Sequence, residues 1–423
     1  MKKLIYAAGV LSLGGVHFAV QAAEGSAKPW SVGLTTQGFY DDNINTAPDG
    51  PSKIGSWGTY VSPNGSYSQT WDQTTLNLGA SYGAYYYANA EGTLASDWSQ
   101  TASFLAALNH TFNPRMSLDL KENFTMFQNA NQVLLGQTGR INGNNIGNDA
   151  SANLSTELTS RLSVVTGYEN VLFRYEEDQY AALLDRVENY GRFDLRYLIT
   201  PSTVGVVGTK VGNINYDSGL AFNPSAPVDA KLNPSTSIKD NMSYFVYGGF
   251  DHSFSPAFTG SLRAGAQVQD FYNYTSAATG QDYGTEIHPY VDVSLSYAFQ
   301  AGSTAQVGVI HRANPTDITG SYSVQGFQPT LQQVSTAFYG NISHAITSKL
   351  TGSLMGTFQT SEFVDGYNGV TEQWWSLGAN LSYALVKNVS LTAAYYYDLL
   401  NDDTIASRNY NRNRVFFGIS ASY

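Results

Sequence analysis

A recurring turn signal constrains this chain more than any other feature. The turns read Thr70-Trp71-Asp72-Gln73, Asn113-Pro114-Arg115, Thr159-Ser160-Arg161, Thr200-Pro201-Ser202, Ser255-Pro256-Ala257, Gln300-Ala301-Gly302-Ser303, Thr347-Ser348-Lys349 and Val386-Lys387-Asn388, at spacings of 39 to 55 residues. Each interval holds two alternating, strand-length segments joined by a longer polar stretch. These stretches lie near 41–56, 89–98, 128–149, 177–187, 217–240, 273–284, 313–332, 364–370 and 401–411. Nine long loops alternating with eight short turns predict 18 strands, with 16 as the alternative. A propeller blade would fit the period but needs four short strands per unit. Short turns on one side and long loops on the other fit an all-β transmembrane antiparallel up-and-down barrel.

Alternation assigns two faces. In the last segment Val415, Phe417, Ile419, Ala421 and Tyr423 share one face, while Arg414, Gly418, Ser420 and Ser422 share the other. The segment before it sets Val389, Leu391, Ala393, Tyr395 and Tyr397 against Ser390, Thr392, Ala394 and Asp398. The polar sets cannot pack a dry core, but they suit the wet lumen of a barrel with 16–18 strands. Only 13% of the 423 residues are charged, about half the usual share. Trp30, Tyr40, Trp57, Trp71, Trp98, Phe112, Tyr297, Phe299, Trp374, Trp375, Tyr395 and Tyr397 fall near strand ends, as interfacial girdles require.

Residues 1–22 read as a secretory signal peptide for the Sec pathway. Lys2 and Lys3 precede the apolar run Leu4–Val20, and Val20-Gln21-Ala22 offers a cleavage site. Loss of both lysines moves the net charge from −11 to −13. A short segment, 23–29, precedes the barrel at 30–423, leaving no room for a plug or passenger domain. No later run is long and apolar enough for a transmembrane helix. The acidic balance without a Lys/Arg cluster argues against nucleic acid. The absence of Cys removes disulfides, thiolate metal sites and a lipoprotein anchor. No cofactor or metal is expected.

The chain resembles Gram-negative outer-membrane β-barrels. Its end, Arg412-Asn413-Arg414-Val415-Phe416-Phe417-Gly418-Ile419-Ser420-Ala421-Ser422-Tyr423, is similar to their C-terminal assembly signal, with Val415, Phe417, Gly418, Ile419 and Tyr423 at the marked positions. That resemblance implies recognition by the barrel-assembly machinery in the cell outer membrane, among lipid and lipopolysaccharide. Gly38-Phe39-Tyr40-Asp41-Asp42-Asn43-Ile44 resembles the first-hairpin motif of the putative β-barrel porin family, some of whose members are encoded with exopolysaccharide genes. The general-porin acidic constriction motif is not evident in 128–149.

A channel acts through its lining. Arg192, Asp194 and Arg196 share the polar face of 188–199. Asp251 and Arg263 should be inward diagonal neighbours across the Pro256 turn, with Asp292 on the next strand, and Asp119 with Lys121 repeats the theme. Either these charges impose a transverse field that sorts solutes, or they pair locally and stiffen the wall. Loops 128–149, 217–240 and 313–332 are the candidate constriction. Loop 176–188 and the tips Asp41-Asp42 and Asp402-Asp403 read as solvated acids rather than cation sites. His110, His252, His288 and His344 carry no distinctive catalytic motif, so an enzyme is not expected. The leading expectation is passive diffusion of small hydrophilic solutes or saccharides. A secretion-linked or structural barrel, as in exopolysaccharide export or surface attachment, stands second and a rim-sited hydrolase third. Oligomeric state is not legible.

Overall fold

The computed structural model describes residues 28–90, 97–127, 145–176, 181, 184–217, 238–273, 284–318, 320–323, 326–365 and 369–423. The expected leader therefore lies outside the described residues. The strands are β1 (Trp30–Asp41), β2 (Ser56–Thr70), β3 (Thr74–Tyr87), β4 (Trp98–Asn113), β5 (Met116–Phe127), β6 (Asn145–Glu157), β7 (Leu162–Tyr175), β8 (Arg186–Thr200), β9 (Thr203–Tyr216), β10 (Asn241–Ser255), β11 (Phe258–Asp270), β12 (Thr285–Gln300), β13 (Ser303–Asn314), β14 (Gly320–Ser323), β15 (Gly326–Pro329), β16 (Gln332–Ala345), β17 (Leu350–Val364), β18 (Thr371–Val386), β19 (Val389–Asp402) and β20 (Tyr410–Ser422).

Eighteen of them form one antiparallel sheet in which neighbours in sequence pair, and β20 pairs with β1 from Gly33↔Ser422 to Asp41↔Arg414. The sheet is a closed barrel, so no strand edge is left unpaired, as hydrocarbon surroundings require. The short turns fall where the sequence placed them. Two loops differ in extent. β6 begins at Asn145, inside the expected loop 128–149, because pairing with β5 and β7 overrides the poor strand propensity of Asn and Gly there. The loop between β13 and β16 holds its own hairpin, β14–β15.

Side-chain parity follows the predicted pattern. Val415, Phe417, Ile419 and Tyr423 are exposed on the outer wall, as are Trp30, Trp57, Trp98, Tyr297 and Trp375. Trp374 was expected in the girdle but cannot share a face with Trp375. It points inward, buried beside Leu400 and Tyr410. Gly418 lets β20 lie close on β1, since a Cβ there would meet the Thr36 carbonyl oxygen at 2.1 Å. Several inward aromatic rings lie flat over a glycine directly opposite. Tyr190 covers Gly212, and Tyr339 covers Gly308, so that a Cβ on either glycine would strike the ring. The rings therefore line the wall without crossing the lumen.

Candidate functional site: the lumen and its latch

The inward face changes character along the barrel. On β18, Glu372, Trp374, Ser376 and Gly378 are buried near the long loops, whereas Asn380, Ser382 and Ala384 toward the short turns are partly exposed. β17 repeats this, with Thr357, Gln359, Ser361 and Phe363 buried and Thr351, Ser353 and Met355 partly exposed. On β12, Ser296 and Ala298 are exposed near the short turns. Wall side chains in the long-loop half of the lumen are mostly buried and those in its short-turn half mostly partly exposed, Asp251 being a buried exception.

Loops fill the upper half. Ile44, from the first long loop, packs on Phe39, Tyr60, Tyr87, Ala90 and Phe416. The loop after β13 folds inward and is held from both sides. Arg408 joins Asp317 at 3.2 Å and Glu372 of β18 at 2.8 Å. Lys239, before β10, donates to the Ile318 carbonyl at 3.0 Å and the Thr316 carbonyl at 3.5 Å. Asp317 thus lies between cations from two other loops. Burial lowers the Lys239 ammonium to about 7, with Asp317 opposing that shift. Of the three loops expected to form the constriction, 313–332 is held inward in its described part, and the Lys239 that holds it belongs to 217–240. Residues 128–144 and 218–237 lie outside the described residues.

Five of the eight predicted lumen charges pair locally. Arg192 bonds Asp194, which also accepts from the Tyr247 hydroxyl at 2.6 Å. Asp251 bridges Arg196 at 2.6 Å and Arg263 at 2.8 Å. Arg263 is diagonal to Asp251 as expected and directly opposite Asp292. Asp119 and Lys121 lie on the inward face of β5, but Asp119 accepts from Asn109 at 2.6 Å and forms no ion pair with Lys121. Arg192 retains 39% side-chain exposure although its partner Asp194 has none. A second inward pair, Lys210–Glu169 at 2.6 Å, was not anticipated from sequence. Both its members sit on alternating inward positions that could have indicated it.

Asp41-Asp42 and Asp402-Asp403 were expected as solvated tips. Asp41 is instead buried against Arg412, whose Nε lies 2.9 Å from both carboxylate oxygens. Asp42 accepts from the Asn413 backbone N–H at 2.6 Å and from its side chain at 2.8 Å. Asn43 donates to the Asn411 carbonyl at 2.7 Å. The two motifs singled out in the sequence therefore meet across the β1–β20 seam. Asp402 is also buried and caps the following turn, accepting from the Thr404 and Ile405 N–H groups. In loop 176–188, Asp185 accepts from the Tyr175 N–H and faces Arg174, while Arg186 and Glu188 form a buried pair.

The histidines find other roles. His110, His252 and His344 bond Thr74, Thr203 and Ser303 through Nδ1, on the outer wall near the short turns. Among the described residues only His288 has a carboxylate partner, Glu286 at 3.1 Å. No group of three His, Cys, Asp or Glu side chains among them could hold a metal ion.

Residues 229–423 match the family described as Putative beta-barrel porin 2. No curated protein sequence matches the chain. Among solved structures, OccK2 (OpdF) of Pseudomonas aeruginosa in complex with glucuronate is 12% identical, with a TM-score of 0.44, covering 93% of this chain and 98% of that one. OccAB3 of Acinetobacter baumannii is 9% identical, with a TM-score of 0.41 and coverages of 93% and 99%. A mutant ferric enterobactin receptor, PfeA of Pseudomonas aeruginosa, is 10% identical, with a TM-score of 0.42 and coverages of 93% and 80%. With its closed 18-strand sheet, apolar outer wall and polar lumen, the chain is a porin-like outer-membrane β-barrel that resembles the Putative beta-barrel porin 2 family over residues 229–423.

Proposed function

We propose that the barrel is a passive diffusion channel for small hydrophilic solutes or saccharides. The observation that carries this reading is the division of the lumen. A lower half of largely polar, partly exposed side chains leads to an upper half narrowed by the inward loop that Arg408 and Lys239 hold. Solutes are sorted first by size at that narrowing. The exposed Arg192 and the wall charges Arg196, Asp251, Arg263, Asp292, Asp119 and Lys121 then bias them by charge. The net effect is modest, because Arg192 is matched by Asp194, while Arg196 and Arg263 share Asp251. Export by the Sec pathway, with insertion by the barrel-assembly machinery through Val415, Phe417, Gly418, Ile419 and Tyr423, completes the reading. Liposome swelling with sugars of increasing size tests it. Uptake should fall with solute size. Vesicles that admit no sugar, from protein shown to be folded, would contradict the proposal.

A further inference from the structure

The outer wall carries one charge that a lipid belt does not explain. On β5 the outward positions are Leu118, Leu120, Glu122 and Phe124, since Asp119 and Lys121 face the lumen. A membrane strand crosses in about 9–11 residues, so Glu122, well inside β5, lies within the hydrocarbon layer. The other outward-facing Asp, Glu, Lys and Arg side chains on described strands are Arg174, Asp270 and Glu362, and each of these falls in the last three residues of its strand, at the long-loop rim. Outward His110, His252, His311 and His344 each bond a neighbouring hydroxyl.

Glu122 has alanine directly opposite on both sides, Ala106 on β4 and Ala150 on β6. Among the described residues its carboxylate makes no hydrogen bond or ion pair. The wall beside it is polar as well as low. Asn148 is diagonal to it, and Asn170 follows Ala150 in the same row. Asn170 and the Tyr168 hydroxyl both donate to Asn189, at 2.9 and 2.6 Å, extending the stripe across β7 and β8. On the far side of the barrel, the equivalent outward positions are bulky and apolar, including Leu354, Leu377 and Phe417.

We infer that this face of β5–β8 is where a second copy of the chain packs. Hydrocarbon tails supply no hydrogen-bond donor, and an ionisable group facing them costs free energy unless a partner covers it. The cover must present donors at membrane depth, which another embedded polypeptide can do. The face holds an acceptor, Glu122, and amide donors, Asn148 and Asn170, within one patch. That is the self-complementary composition an isologous contact between identical subunits needs. Ala106 and Ala150 allow close approach, as small residues do between membrane segments. The contact leaves each lumen intact, so it stands apart from the channel reading.

The chain has no cysteine, so single replacements report proximity without interference. Ala150→Cys, oxidised in isolated outer membranes, should yield a cross-linked dimer, whereas Leu354→Cys on the far wall should not. Ala150→Trp should convert the detergent-extracted assembly to monomer by light scattering, with single-barrel conductance unchanged. Glu122→Gln, which keeps hydrogen-bonding capacity, should stay assembled. Cross-linking of Ala150→Cys no greater than that of Leu354→Cys overturns the inference, as does a monomeric unaltered protein. Heat-modified gel migration confirms that each variant is folded.

Discussion

The two halves of the lumen are built from the same strands and the same residue classes, yet they do different things. On β18, Glu372 is buried and bound to Arg408, while Ser382, ten residues along the same face, meets solvent. The difference comes from the loops. Chain folded back into the upper half covers wall side chains, and the buried charges Asp41, Arg186, Glu188, Glu372 and Arg412 described there are ion-paired, as low dielectric demands. The lower half has less such cover, and its charges Arg196, Asp251 and Arg263 pair with one another in the wall itself. One barrel thus contains a stability region and a passage.

The contrast is broken most severely at the seam. Arg412→Ala would leave Asp41 buried without its partner, a change that costs about 3–5 kcal/mol. The urea midpoint of the folded barrel should fall accordingly. Trp374→Ala removes a buried ring from the filled half, with a loss of about 3–5 kcal/mol. Ser382→Ala in the wet half should stay within about 0.5 kcal/mol of the unaltered protein. Equal losses at these two β18 sites would dissolve the distinction between the halves.

Smaller effects sharpen it. Arg192→Gln removes an exposed lumen cation while Asp194, held by Tyr247, keeps its charge. Reversal potentials in a salt gradient should move toward cation preference, and an unchanged potential would remove Arg192 from the sorting set. The latch should also respond to pH. Lys239 is lowered by burial from 10.5 to about 7. Between those values the unfolded loop binds more protons than the folded one, so latch stability rises with pH across that window and is lowest below about 7. Hydrogen exchange at Thr316–Ile318 should slow as pH rises from 7 to 9, after correction for intrinsic rates.

Much of this was legible in the sequence, and the remainder shows where periodicity stops. Turn spacing and alternation gave the strand count and the facing of Arg192, Asp194, Asp251 and Arg263, because a strand's faces follow from its period of two. Adjacent strand positions face opposite ways, so Trp374 and Trp375, both expected in the girdle, could not both join it. The partners of Asp41 and Asp317 were not legible. Asp41 meets Arg412 from the opposite end of the chain, and Asp317 meets Arg408 from another loop. Those contacts depend on barrel closure and on loops folding inward, which no local pattern encodes. The two motifs around Asp41 and Arg412 were visible separately, but only the closed sheet brings them together.

In the proposed channel, the loop held by Arg408 narrows an otherwise open lumen. Single-channel conductance in planar bilayers, comparing the unaltered barrel with Arg408→Ala, tests it most directly. The account predicts a small, reproducible conductance that rises severalfold when the latch is released. A large conductance unchanged by the substitution, or closed behaviour in both proteins, would contradict it.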